Sequence, residues 1–162
     1  MTKIHQMESG TVITESDQSY ILDKTKAFFI RNYFENKKIA IFYYYQKELE
    51  LLKEVFGERL TTNLLEFETT DKSFCIQQKT GSEAISLKQS DALVYYNFGF
   101  SGKDFVQGRD RMTTKERAEN NVYIILAKGG FNEKLYRVVS QKKLYNEAIF
   151  KKDYYGRTKT TN

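Results

Sequence analysis

The densest chemistry in the chain lies at residues 105–112, FVQGRDRM. Arg109 and Arg111 flank Asp110, with Gln107 just before them. Arginine stays charged and grips phosphate through two parallel N–H bonds, so this spacing suits a phosphate ligand. A surface ion-pair patch, with Asp110 neutralising either arginine, is the competing reading, and the local sequence leaves both open. A second stretch, QQKTGSEAIS, puts Lys79, Thr80, Gly81 and Ser82 in a small cationic, hydroxyl-bearing turn that enters a helix. Unpaired N–H groups at a helix start favour anions, and glycine admits close backbone approach. Any strand-to-helix turn can take this form.

Other chemistries find no support. The lone cysteine, Cys75, cannot close an internal disulfide and reads as a buried, inert thiol. The lone histidine, His5, is remote from it and reads as an ordinary surface residue. No Cys/His cluster offers a metal site. Neither G-x-x-x-x-G-K-[ST] nor G-x-G-x-x-G occurs, and no acidic pair follows a strand to hold magnesium. Arginines that face phosphate without a phosphate cradle make half of a site.

Composition sets the frame. The 162 residues carry a net charge of +5 and a pI near 9.1, which permits a polyanionic partner without requiring one. The start, MTKIHQMESG, is too polar for a signal peptide, and no apolar run approaches the ~18 residues of a membrane span. The expectation is one soluble, cytoplasmic domain over 1–162, with a linker-like start at 1–20 and a flexible tail at 153–162.

Hydrophobic periodicity supplies the elements that position these stretches. A short helix suits MTKIHQM and a longer one suits residues 23–35. KIAIFYYY reads as a fully buried strand, followed by a helix through QKELELLKEVF with Leu49, Leu52, Val55 and Phe56 inward and Gly57 as its stop. LTTNLLEF, DKSFCIQQ, ALVYYNF and NVYIILA are further strand candidates. GKDFVQGRDRM reads as a helix with Phe105 and Val106 facing the core, and residues 131–152 read as one long closing helix. Alternating strands and helices predict an α/β sandwich, a doubly wound and mostly parallel sheet. Ligands in such sheets sit at the carboxyl ends of strands, which points to YYYQKE, QQKTGSEAIS, NFGFSGKD with QGRDR behind it, and AKGGFNE. Tyr43, Tyr44 and Tyr45 favour core packing over base stacking, with Tyr45 the exposed candidate at the strand end. Tyr95 and Tyr96 read the same way, and Lys134, Lys142 and Lys143 read as a solvated helix face.

Taken in order, the pieces resemble the second RecA-like lobe of a superfamily 2 helicase, closest to the Swi/Snf type of DNA translocase. KIHQMESGTV with ILDKTKAFFI resembles the linker and first helix of that lobe, and KKIAIFYYYQKELELL resembles its motif IV. QKTGSEAISLKQSDALVYYNFGFSGKDFVQGRDRM resembles motifs V and VI, and NVYIILAKGGFNEKLYRVVSQK the closing strand, turn and helix. The resemblance covers nearly the whole chain and keeps the order of its parts.

The resemblance implies roles. Arg111 falls where the family places an arginine that reaches ATP on the other lobe, and Gln107, Arg109 and Glu83 are its nucleotide-side companions. Lys79, Thr80 and Gly81 fall where the family contacts the nucleic-acid backbone, with Tyr45 beside them. ATP and magnesium would bind only together with an N-terminal RecA-like lobe carrying the P-loop, and DNA, or else RNA, would be the track. The isolated chain is expected not to hydrolyse ATP. Departures exist: Thr114 stands where a second arginine is usual, Ser82 and Ala84 replace motif V glycines, and Asn132-Glu133 replaces Asp-Glu. Arg109, Lys115 or Arg117 are the candidates to replace that second arginine, the alternative being hydrolysis with one finger. These departures fit a divergent member such as one from a virus or mobile element, which would act in a host cytoplasm. The alternatives are a binding or regulatory module that kept the fold without catalysis, and an unrelated α/β enzyme.

Overall fold

The structure, a computed structural model, describes residues 1–81, 85–112 and 121–156. Helix α1 (Thr2–Glu8) opens the chain and leads into an antiparallel hairpin of β1 (Thr11–Ile13) and β2 (Ser19–Ile21). Then follow α2 (Thr25–Tyr33), β3 (Ile39–Tyr43), α3 (Gln46–Phe56), β4 (Leu60–Thr61), α4 (Leu64–Thr69) and β5 (Ser73–Gln77). The second half holds α5 (Gln78–Gly81), β6 (Ala92–Tyr95), α6 (Gly102–Arg109), β7 (Val122–Ile124), α7 (Phe131–Val139) and α8 (Glu147–Tyr155). The main sheet has five strands in the order β4-β5-β3-β6-β7, and every pairing is parallel.

Strand period explains the layering. Along β3, Ile39, Ile41 and Tyr43 enter one core while Ala40 and Phe42 enter the other. Both faces are covered, so the strand is apolar throughout, as expected of a central parallel strand. The first face is sealed by α2 and α3 through Ala27, Ile30, Leu51, Leu52 and Val55. The second is sealed by α4, α6 and α7 through Phe67, Phe105, Val106, Leu135 and Val139. Burying such side chains contributes about 1.5–3 kcal/mol each before chain entropy is set against it. Leaving β3 the chain turns one way, and through β6 it turns the other, so the strand order reverses between β3 and β6.

Several expectations change. The linker-like start is a helix and a hairpin, tied down because the Tyr96 hydroxyl donates to the Ser9 carbonyl. LTTNLLEF is a strand only at Leu60–Thr61; Asn63 then caps α4, its Oδ1 accepting from Glu66 N at 3.0 Å. On α3 it is Leu51, not Leu49, that is fully buried, with Leu49 at the margin of the core.

The long closing helix is two helices. Residues 140–146 turn back because their backbone pairs with the start of α6: Gly102 N donates to Lys143 O at 3.0 Å and Tyr145 N to Phe100 O at 2.9 Å. Helix α8 carries on through Tyr155, and its Asp153 receives the Tyr145 hydroxyl at 2.9 Å and Arg137 at 3.2 Å, so residues 153–155 are structure and not tail. Residues 157–162 lie outside the described ones.

Lys142 closes that turn at φ 62°. A side chain in this left-handed region costs about 1–2 kcal/mol, offset partly by the entropy glycine would lose. Lys142→Gly should therefore raise unfolding stability by about 0.5–1 kcal/mol in urea titration; a loss of stability would contradict the strain.

Candidate nucleotide and nucleic-acid interface

The carboxyl edge of the sheet is built around Glu48, which has no exposed surface. It is the third residue of α3, and Tyr45 is the N-cap. Its Oε2 accepts from Tyr44 N at 2.8 Å and Tyr45 N at 3.1 Å, and its Oε1 accepts from Asn97 Nδ2 at 2.6 Å. The carboxylate thus joins the exit of β3 to the exit of β6. Burial pushes its pKa up, and the Ser9 side chain, the Tyr44 amide, the Asn97 side chain and the Tyr45 amide pull the other way.

The network spreads outward. Asn97 Oδ1 accepts from Phe98 N at 2.9 Å and from Asn132 Nδ2 at 3.4 Å. The Glu8 carboxylate of α1 accepts from Phe131 N and, at 2.8 Å, from Asn132 N, so it caps α7 from a distant part of the chain. Asn132, standing where Asp was expected by resemblance, is thereby a buried structural residue. Glu133 accepts from Gly129 N at 2.6 Å and shapes the turn before α7.

His5 is the largest correction. It is fully buried, ringed by Tyr44, Tyr45, Phe100 and Phe131 at centroid distances of 4.8 to 5.8 Å. Its Nδ1 lies 2.8 Å from the Tyr45 hydroxyl, and its Nε2 is enclosed, facing the Phe98 carbonyl and Asn97 without a well-formed hydrogen bond among the described residues. Burial lowers its pKa to about 4, against the Phe98 carbonyl, with the Lys26 charge adding to the lowering. Tyr45 accordingly is not the exposed residue expected at the strand end: it is half-buried and bonded to His5. Burial also raises its phenol well above the usual range. Tyr95 and Tyr96 are core residues, as expected, and Cys75 is buried with burial raising its thiol.

The candidate residues fall into two groups. At the carboxyl edge, the buried Gln78 accepts from Gly99 N at 2.7 Å, which anchors α5 there. Lys79 and Thr80 follow it and are exposed, and Gly81 ends the helix. Glu83, with Ser82 and Ala84, lies outside the described residues, as do Thr114, Lys115 and Arg117.

The second group rides on α6. Its N-cap Ser101 accepts from Asp104 N at 3.3 Å near the carboxyl edge. The helix then runs back across the sheet, antiparallel to β6. Tyr95 Oη donates to Phe105 O at 2.7 Å, and Ser90, which precedes β6, donates from Oγ to Met112 Sδ at 3.3 Å. Gln107, Arg109 and Arg111 are thus carried away from the carboxyl edge, where the sequence had placed them. Gln107 is exposed; Arg109 is exposed too, with Nε 3.6 Å from Asp110 Oδ1; and Arg111 is half-buried on the 3-10 turn Asp110–Met112. The ion pair is solvent-exposed and contributes little. Gly108 fixes this end of the helix: a Cβ there would stand 2.7 Å from Tyr95 Oη and 2.8 Å from Phe42 Cε2. The helix can lie this close to β3 and β6 only with glycine at 108.

The residues that sequence reasoning missed are Glu8, Glu48, Asn97 and His5. Their signal was slight. Glu48 sits at the third position of a helix, where an acid also caps in solvent, and Asn97 follows a strand like any loop residue.

Among the described residues, no helix is long and apolar enough to cross a membrane and no three acidic, histidine or cysteine side chains are grouped to hold a metal.

No protein-family model matches the chain, and no curated protein matches it in sequence. Solved structures do. The C-terminal part of the Fun30 ATPase domain superimposes with a TM-score of 0.56 at 17% identity, over 72% of this chain and 43% of that one. The yeast DEAD-box splicing factor Prp28 gives 0.55 at 15% identity, over 86% of this chain and 36% of that one. The chain therefore spans less than half the length of either. With its parallel sheet covered on both faces, it has the RecA-like α/β fold.

His5 makes folding sensitive to acid. The unfolded ring titrates near 6.5 and the folded one near 4, so below pH 6.5 the unfolded state binds the extra proton and stability falls. Between pH 6.5 and 4 the loss should approach about 3 kcal/mol, with stability recovered as pH rises. Glu48, whose raised pKa acts in the opposite sense, is common to wild type and variant. A His5→Asn variant should therefore lose this slope in denaturant titrations across pH, and an unchanged slope would contradict the assignment.

Proposed function

We propose that this chain is the second motor lobe of an ATP-dependent helicase or translocase that moves on nucleic acid, with DNA as the track. The observation that carries it is the QGRDR segment at the end of α6, held on a RecA-like sheet by the close packing of Gly108. In this reading Arg111 reaches the phosphates of ATP bound on a partner lobe with the P-loop and magnesium. Gln107 and Arg109 lie on the same turn of chain, and Glu83 joins them on the nucleotide side. The arginine stabilises charge that develops on the transferred phosphoryl group, and the partner lobe supplies the P-loop motif that this sequence lacks. Lys79, Thr80 and Gly81 contact phosphates of the track, a role that positions without reading bases. Tyr45 serves this surface indirectly: its hydroxyl holds His5, and its ring packs edge-on against Tyr44 at 4.9 Å.

The fold likeness to the Fun30 and Prp28 chains supports the class, and the order of the motif-like stretches supports the Swi/Snf-type resemblance. Tyr45 is half-buried, so in this reading it lends support from beneath, and the exposed Lys79 and Thr80 make the direct contacts.

Isolated 1–162 should show no ATP turnover above background. Mixed with, or fused to, a P-loop lobe that completes the motor, it should support nucleic-acid-stimulated hydrolysis. Arg111→Ala should then lower kcat by about 10³-fold or more with nucleotide affinity far less affected. Full activity of that variant would remove Arg111 from the catalytic role. A complete absence of stimulation by this lobe would favour a binding module that kept the fold without catalysis.

A further inference from the structure

A cleft of about 470 Å³ opens where α1, the start of α2 and the exit of β7 meet. It lies apart from both groups of residues above. Its walls are apolar: Met7, Phe29, Ile125 and Leu126 line it, and Met7 and Phe29 are 57% and 51% exposed. Its size falls in the range of small-molecule sites, which pair apolar walls with a few placed polar groups.

The polar group here is Lys26. Its ammonium lies 4.9 Å from the centroid of the Tyr96 ring, and among the described residues it has neither a hydrogen-bond acceptor nor a carboxylate in ion-pair contact. The acids nearby are committed elsewhere. Glu8 spends both oxygens on the N-terminus of α7, Glu48 is taken by three donors, and Asp23 accepts from Thr25 N at 2.6 Å. Burial lowers the Lys26 pKa to about 8, with Glu48 and Glu8 only partly offsetting it from a distance. A half-buried ammonium without an acceptor is costly, and a ligand anion would relieve that cost.

We propose that this cleft binds a small molecule joining an aromatic or apolar body to one anionic group, with Lys26 as the counter-charge and Met7 and Phe29 as the walls. Phe29 offers a ring face already stacked on Tyr33 at 5.7 Å, which keeps it in place without burying it. The site is independent of the motor-lobe reading and stands or falls by itself.

The test uses two fluorescent probes of similar shape on the full chain: anilinonaphthalene sulfonate, which carries the anion, and neutral phenylnaphthylamine. The wild-type chain should bind the sulfonate saturably at one site. Lys26→Gln should weaken the sulfonate about tenfold or more, as loss of one charge-assisted hydrogen bond requires, and change the neutral probe by less than about twofold. Lys26→Arg should keep sulfonate binding, and Phe29→Ala, an exposed position, should weaken both probes. Thermal melts of each variant confirm that it is folded. No saturable site in the wild type, or equal effects of Lys26→Gln on both probes, would overturn the proposal.

Discussion

One buried carboxylate organises the carboxyl edge of this fold. Glu48 accepts hydrogen bonds from the backbone leaving β3 and from the Asn97 side chain leaving β6. These are the two strands between which the sheet reverses its order. In an α/β sheet that crevice is ordinarily open for ligand. Here it is closed from within by the hydrogen bonds among Glu48, Asn97 and Asn132, and from above by α1, whose His5 and Glu8 reach Tyr45 and the start of α7. Removing a single partner from such a network leaves the others buried and unpaired, at about 1–3 kcal/mol for each neutral group and more for the carboxylate.

In the proposed motor, that closure moves the functional surface away from the crevice. With the crevice filled, the exposed chemistry lies to its sides. Lys79 and Thr80 sit on a short helix anchored by Gln78, and the arginines sit at the far end of α6. The two groups belong to consecutive crossovers on the same face of the sheet, so a rigid sheet sets their separation. In the proposed motor, this arrangement lets one lobe hold a nucleic-acid strand at one place and answer to nucleotide at another. The Gly108 contact with Phe42 and Tyr95 is the local device that fixes the arginine end, since any side chain would push α6 off the sheet.

The layering was legible because it rests on period alone. β3 alternates between two cores, α3 and α6 show apolar stripes, and Gly57 with φ 56° ends α3 as a glycine should. What was not legible depends on contacts distant in sequence. The break between α7 and α8 arises because residues 143 and 145 pair with 100 and 102, and no local pattern in KKLYNE reports that. His5 looks like a surface residue in a polar segment, yet four aromatic rings from three other parts of the chain enclose it. QGRDR was recognised as a unit, but its placement was not, because a helix that follows a strand can carry its far end a full strand length from the carboxyl edge.

The central claim is that Arg111 completes an ATP site whose other wall belongs to a separate lobe. A structure of this chain bound to a P-loop lobe, with ADP and aluminium fluoride in place of the transferred phosphoryl group, tests it most directly. The account predicts the Arg111 guanidinium at about 3 Å from a fluoride or the bridging oxygen. A closed complex with nucleotide bound and Arg111 turned away from it would contradict the account.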